Sequence, residues 1–181
     1  MDATTRVLSS MGYEATTTNR VAEIAGVSVG SLYQYFPNKD AIMASLIQRH
    51  ITERKKEIVQ ILEKNKDQPT EIVIDQVIGN VVAMFMGNKR LLKALLVHVP
   101  RLEKTRDLLF VRNEITEILI EFFENRRETI QVKDVRASFF VITNAVMGVV
   151  QTSIFTEDLI FDQETLKQEL ILLVKRYLLG V

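Results

Sequence analysis

The chain has 181 residues, 47% of them hydrophobic, no cysteine, and 23 basic against 23 acidic side chains. That length holds one or two domains with a sizeable buried core. The lack of cysteine excludes disulfides, thiolate catalysis and zinc-thiolate sites together, and zero formal charge excludes bulk attraction as a route to nucleic acid. The same balance holds within residues 1–50, where Arg6, Arg20, Lys39 and Arg49 offset Asp2, Glu14, Glu23 and Asp40. The amino end has neither a basic leader nor an apolar signal core. Val141 to Phe155 is the most apolar stretch and is too short to span a bilayer, so no membrane partner is expected and the chain reads as cytoplasmic.

Helical periodicity dominates, and nine helices are expected. The first runs from about Ala3 to Met11 and stops at Gly12. The second runs from Thr18 to Ala25, with Thr17 as N-cap and Gly26 as the left-handed residue at its end. Ser28 caps a third helix, Val29 to Tyr35, which Pro37 closes. Asn38 then caps a fourth from Lys39 to about Asn65, roughly 40 Å long at 1.5 Å per residue. The polar break from Asn65 to Pro69 precedes helices at Thr70 to Met86, Lys89 to Val97, about Leu102 to Arg127, Val135 to Phe155 and Gln163 to Leu179.

A very short helix between two punctuated turns, approached by another helix, suits a DNA recognition element. Val21, Ile24 and Ala25 mark an inward face on the second helix, and Leu32 and Phe36 an inward stripe on the third. Val29, Gly30, Ser31, Gln34 and Tyr35 are left for solvent or a ligand. Small residues at 29–31 would let the helix end approach base edges, where Ser31 and Gln34 can donate and accept hydrogen bonds. Tyr33, Tyr35 and Lys39 carry groups that reach phosphates. The same spacing also suits a plain three-helix packing unit with solvated polar residues.

The run Thr16-Thr17, Val21-Ala22-Glu23-Ile24-Ala25-Gly26-Val27-Ser28 and Gly30-Ser31-Leu32-Tyr33-Gln34-Tyr35-Phe36-Pro37-Asn38-Lys39-Asp40-Ala41-Ile42 resembles the amino-terminal domain of TetR-family repressors. The pattern covers about Val7 to Leu46; the remainder is similar in helix number, length and order. The resemblance implies an all-α, nine-helix, two-domain fold. Residues 1–46 would form a helix-turn-helix DNA-binding domain, and residues 47–181 a ligand-binding and dimerisation domain. It implies a homodimeric repressor that binds a palindromic operator and releases it on binding a small molecule, with no cofactor. By position, Thr17, Tyr35 and Lys39 would contact phosphates, while Asn19, Val29, Gly30, Ser31 and Gln34 would lie at or near base edges. Members usually carry a longer first helix preceded by a basic arm that reaches the minor groove, whereas here Met1 to Thr5 precede Arg6.

The eighth helix is apolar nearly all round, so it must be covered on most sides. One side suits its own core and the other a partner, and Gly148 in its middle suits close approach of a second helix. With the ninth helix it would form a four-helix dimer interface through Val146, Gly148, Val149, Leu170, Val174 and Tyr177; burial within a monomer is the other reading. If the helices pack in the family order, Met84, Phe85, His98, Phe110, Asn113, Phe140, Thr143 and Asn144 would surround a small hydrophobic inducer. Methionine and phenylalanine there also suit plain core. No catalytic or metal-binding spacing stands out, and Glu114, Glu117, Glu121 and Glu124 read as a solvated stripe. An enzyme is therefore not expected. The rival reading is a helical small-molecule-binding protein with weak or no DNA binding.

Overall fold

The computed structural model describes residues 2–98, 100, 102, 105–156 and 161–180, with Thr105 through its backbone alone. Among them are helices α1 (Asp2–Ala15), α2 (Thr18–Ala25), α3 (Val29–Tyr35), α4 (Lys39–Lys64), α5 (Thr70–Gly87), α6 (Lys89–His98), α7 (Thr105–Glu124), α8 (Val135–Phe155) and α9 (Gln163–Leu179). α7 ends at Glu124, before the expected Arg127, and a 3-10 turn at Arg127–Thr129 follows it. Residues 103 and 104, inside the range expected for the seventh helix, lie outside the described residues. The all-α expectation holds among the described residues.

The expected punctuation operates residue by residue. Thr17 accepts a hydrogen bond from the Arg20 amide, and Gly26 ends α2 at φ 69°, ψ 29°. Ser28 accepts from the Ser31 amide at the start of α3. Phe36 is extended, at φ −134° and ψ 100°, as a residue before proline should be. The Asn38 carboxamide then accepts from the Ala41 amide at 2.8 Å, which starts α4. α1 runs further than expected because Tyr13 to Ala15 resume a helical turn beyond Gly12, whose φ of 79° breaks the helix. Asp134 and Asp162 cap α8 and α9 through the Ala137 and Thr165 amides.

The described chain folds as two compact units. The first holds residues 1–53 and 88–109. Val7, Val21, Ala22, Leu32 and Ile42 form a cluster there, with Ala3 and Phe36 against it. On α2 the buried pair is Val21 and Ala22, whereas Ile24 is 38% exposed and Ala25 exposed, so the inward face is rotated from the expected Val21, Ile24 and Ala25. α6 joins this unit by packing on α1. Asn88 donates to Ser9 Oγ at 2.9 Å and Arg90 to the Ser10 carbonyl at 3.1 Å.

The second unit holds residues 54–87 and 110–181. α5 lies against α9 and α8 and buries Val73, Ile74, Val77, Ile78, Val82 and Phe85. Each such side chain contributes about 1.5–3 kcal/mol of burial, so this interface outweighs the surface pairs around it. Lys175 of α9 meets Asp75 of α5 at 2.6 Å. The Arg126 guanidinium donates to the carbonyls of Gln68 and Lys66 and lies 4.5 Å over the Phe122 ring. It thereby ties α7's end to the turn between α4 and α5.

One expectation fails on length. α5 and α8 are each long and apolar enough to cross a membrane. Residues 137–156 carry no charge, so the apolar stretch is longer than Val141 to Phe155. Both helices nonetheless bury a face inside the second unit, as a core helix does.

Candidate nucleic-acid interface

α3 is amphipathic at minimal length. Leu32 is buried and Phe36 half-buried in the first unit's core, which fixes the opposite face outward. Val29, Gly30, Ser31, Tyr33, Gln34 and Tyr35 are all exposed, Tyr35 at 77%. This exposed row begins at the helix amino end, the part of a recognition helix that reaches base edges. Thr17 and Asn19 are exposed at the start of α2. The Tyr33 hydroxyl lies 3.2 Å from Thr18 Oγ1, which steadies it beside that same helix end. The Ser31 hydroxyl lies 2.8 Å from Ser28 Oγ, so the cap uses part of its bonding capacity.

Lys39 sits differently from the others. It is half-buried, its Nζ lies 3.7 Å over the Tyr13 ring, and it donates to the Tyr13 carbonyl. The Tyr13 hydroxyl in turn donates to Asp40 Oδ1 at 2.8 Å, and the His98 ring stacks on Tyr13 at 3.5 Å. Tyr13 thus organises the start of α4, a role that periodicity could not show because its partners are 26, 27 and 85 residues away in sequence.

The other residues read from the sequence divide. His98 belongs to the first unit, while Met84, Phe85, Phe110, Asn113, Phe140, Thr143 and Asn144 belong to the second. Phe85 is buried and Met84 partly so, but Phe110 and Phe140 are 63% and 65% exposed, and Asn113 is exposed. Thr143 donates to the Phe139 carbonyl at 2.7 Å and Asn144 to the Phe140 carbonyl at 2.7 Å. Both polar groups are therefore turned onto their own helix. A surface cleft of 480 Å³ in this unit is lined by Glu124, Arg127, Lys133, Asp134, Val135 and Arg136. Its charged wall differs from the apolar lining expected for the inducer.

Of the residues assigned to an interface, Val146, Leu170 and Val174 are 5%, 3% and 4% exposed and pack within the second unit. The helical period places them on the inward faces of α8 and α9. Gly148, Val149 and Tyr177 are exposed, and so are Val141, Phe155, Leu172 and Leu173 on the same two helices. On α7, Glu114 pairs with Lys55 at 2.8 Å and Glu117 with Arg136 at 2.9 Å, while Glu117, Glu121 and Glu124 are exposed. Among the described residues no group of three or more His, Asp or Glu side chains is placed to hold a metal.

The family model described as bacterial regulatory proteins, tetR family, matches residues 1–46. That for a tetracyclin repressor-like C-terminal domain matches residues 69–178. The chain is 28% identical over 116 residues to the nucleoid occlusion factor SlmA of Haemophilus ducreyi, covering 64% of this chain and 52% of that one. It is 47% identical over 49 residues to the HTH-type transcriptional repressor KstR of Mycolicibacterium smegmatis, covering 27% and 24%. The match therefore spans about half the length of the first relative and a quarter of the second. The fold is similar to that of the transcriptional regulator FadR of Bacillus subtilis, solved in complex with stearoyl-CoA. There the TM-score is 0.65, with 20% identity over 96% of this chain and 94% of that one. With family models covering residues 1–46 and 69–178, the chain belongs to the TetR family of bacterial regulatory proteins.

Proposed function

We propose that the chain is a ligand-responsive repressor that binds a palindromic operator as a homodimer. The observation that carries this reading is the exposed polar and small-residue face of α3, fixed outward by Leu32 and Phe36. Residues 1–46 would read DNA, and residues 47–181 would bind the ligand and the partner, in the cytoplasm where the operator lies. Thr17, Tyr33, Tyr35 and Lys39 would hold phosphates, and Asn19, Val29, Gly30, Ser31 and Gln34 would face base edges. A two-fold dimer would present two α3 helices about 34–36 Å apart, which is why the operator would be palindromic.

Dimerisation would cover the outward faces of α8 and α9, where Val149, Leu172, Leu173 and Tyr177 are 39–48% exposed. No atom outside the helix backbone lies within 4 Å of a Cβ built on Gly148, so nothing in the monomer demands a glycine there. Close approach of the partner's helix would use that space.

The inducer would be largely hydrophobic, held by burial near Met84 and Phe85 and oriented by one or two polar groups. The structurally similar FadR of Bacillus subtilis was solved with stearoyl-CoA, whose long acyl chain supports a ligand with a large hydrophobic part. For the ligand to release the operator, it would have to bind the DNA-incompetent state more tightly than the DNA-bound one. The test is an electrophoretic mobility shift on DNA flanking the chain's own gene, with excess unrelated duplex as competitor. A shift that survives competitor is expected; complete loss to competitor would instead support a small-molecule-binding protein that does not read DNA.

A further inference from the structure

The face assigned to base edges lacks the side chains that most often read guanine. Guanine is commonly recognised by Arg or Lys gripping O6 and N7 in the major groove. Between Thr16 and Asn38 the one basic residue is Arg20, and its guanidinium is paired with Glu23 at 2.7 Å. From Gly26 to Asn38 there is no charged residue.

What α3 offers is narrower. Val29, in its first turn, is 38% exposed and presents two methyl groups. Gln34 is exposed and carries a carboxamide, the group that pairs bidentately with adenine N6 and N7. Between them, Gly30 has an ordinary helical backbone, and a Cβ built there meets only Ser28 Oγ, at 3.9 Å. Neither φ nor internal packing asks for a glycine, so its smallness serves a body outside the protein. An apolar side chain beside that gap suits the C5-methyl group of thymine.

We infer that each operator half-site is A·T-rich where α3 enters it, with Val29 against a thymine methyl and Gln34 on an adenine. This rests on the reading of α3 as the base-reading helix. The test has two stages with the full-length chain. A random duplex library is first selected to a consensus. Each thymine of the winning duplex is then replaced singly by deoxyuridine, which removes one methyl group, and affinity is read by fluorescence anisotropy.

An A·T run is expected in each half-site, with about four-fold weaker binding at the one or two contacted thymines. Val29→Ser should abolish that thymine-over-uracil difference and leave the adenine position intact. Gln34→Ala should relax the adenine position by about ten-fold and leave the methyl effect. A consensus with G·C pairs at the protein-contacted positions, or a consensus insensitive to deoxyuridine throughout, would overturn the inference while preserving the DNA-binding reading. Failure to enrich any duplex would remove that reading itself.

Discussion

Replacing Gly148 by alanine separates what α8 needs as a helix from what it needs as an interface. A Cβ at this position meets nothing within 4 Å, and the residue lies inside the helix Val135–Phe155. The methyl group therefore costs nothing in the monomer and removes the helix penalty of glycine, about 1 kcal/mol. For a chain of this size that corresponds to a melting temperature raised by about 2–4 °C. In the dimer the same methyl would stand between two closely packed helices. Overpacking of that kind costs roughly 1–3 kcal/mol, a rise of about 5- to 150-fold in the dimer dissociation constant. Sedimentation over a concentration series gives that constant, and a melt at a dilution where monomer dominates gives the first term. Opposite signs are expected: a more stable monomer and a weaker dimer. A higher melting temperature with an unchanged dimer constant would show that Gly148 does not face the partner. Val149→Arg, at a position 39% exposed, should abolish dimerisation with little loss of monomer stability.

The other predictions concern DNA, pH and ligand. Lys39→Ala and Tyr35→Phe should weaken binding to all duplexes alike, and Lys39→Ala should reduce the salt slope by about one charge; a change in sequence preference would contradict the phosphate assignment. The Asp162 carboxylate accepts hydrogen bonds from the backbone and side chain of Thr165, which hold it below the usual value near 3.8. Its folded pKa is depressed, so its contribution to stability is present above that value and is lost as pH falls through the lowered one. Asp162→Asn keeps an acceptor at the cap, and an acid-unfolding curve followed by circular dichroism should lose that component; an unchanged curve would contradict the cap's part in acid stability. A compound that relieves repression should bind more weakly in the presence of operator, by the factor with which it weakens operator binding. Calorimetry giving equal affinity with and without operator would rule out that coupling.

Between Thr17 and Asn38 the helix boundaries were legible almost to the residue because the stop and start signals are local. Thr17, Gly26, Ser28, Pro37 and Asn38 act within four residues of themselves. Helix faces were harder. α2 has only two turns, and its inward side is set by what packs against it, which placed Ala22 inside and Ile24 out. α8 and α9 carry apolar residues on both sides, so composition could not say that Val146, Leu170 and Val174 serve the inner side and Val149 and Tyr177 the outer. The tie between Tyr13, Lys39, Asp40 and His98 joins three separate helices, and no period in the sequence reports contacts of that range. Thr143 and Asn144 are polar residues in an apolar helix, which suggested a ligand. Each donates a hydrogen bond to its own helix, Thr143 to the Phe139 carbonyl and Asn144 to the Phe140 carbonyl, as short polar side chains in helices often do.

The most direct measurement of the central claim is a stoichiometric titration of the full-length chain into a labelled duplex from its own promoter region, read by fluorescence anisotropy beside a scrambled duplex of equal length. Two chains per duplex, saturating at concentrations at least a thousand-fold below those needed for the scrambled sequence, is the expected result for specific binding. Equal affinity for both duplexes, or saturation at one chain per duplex, would contradict an operator-binding dimer that reads DNA through α3.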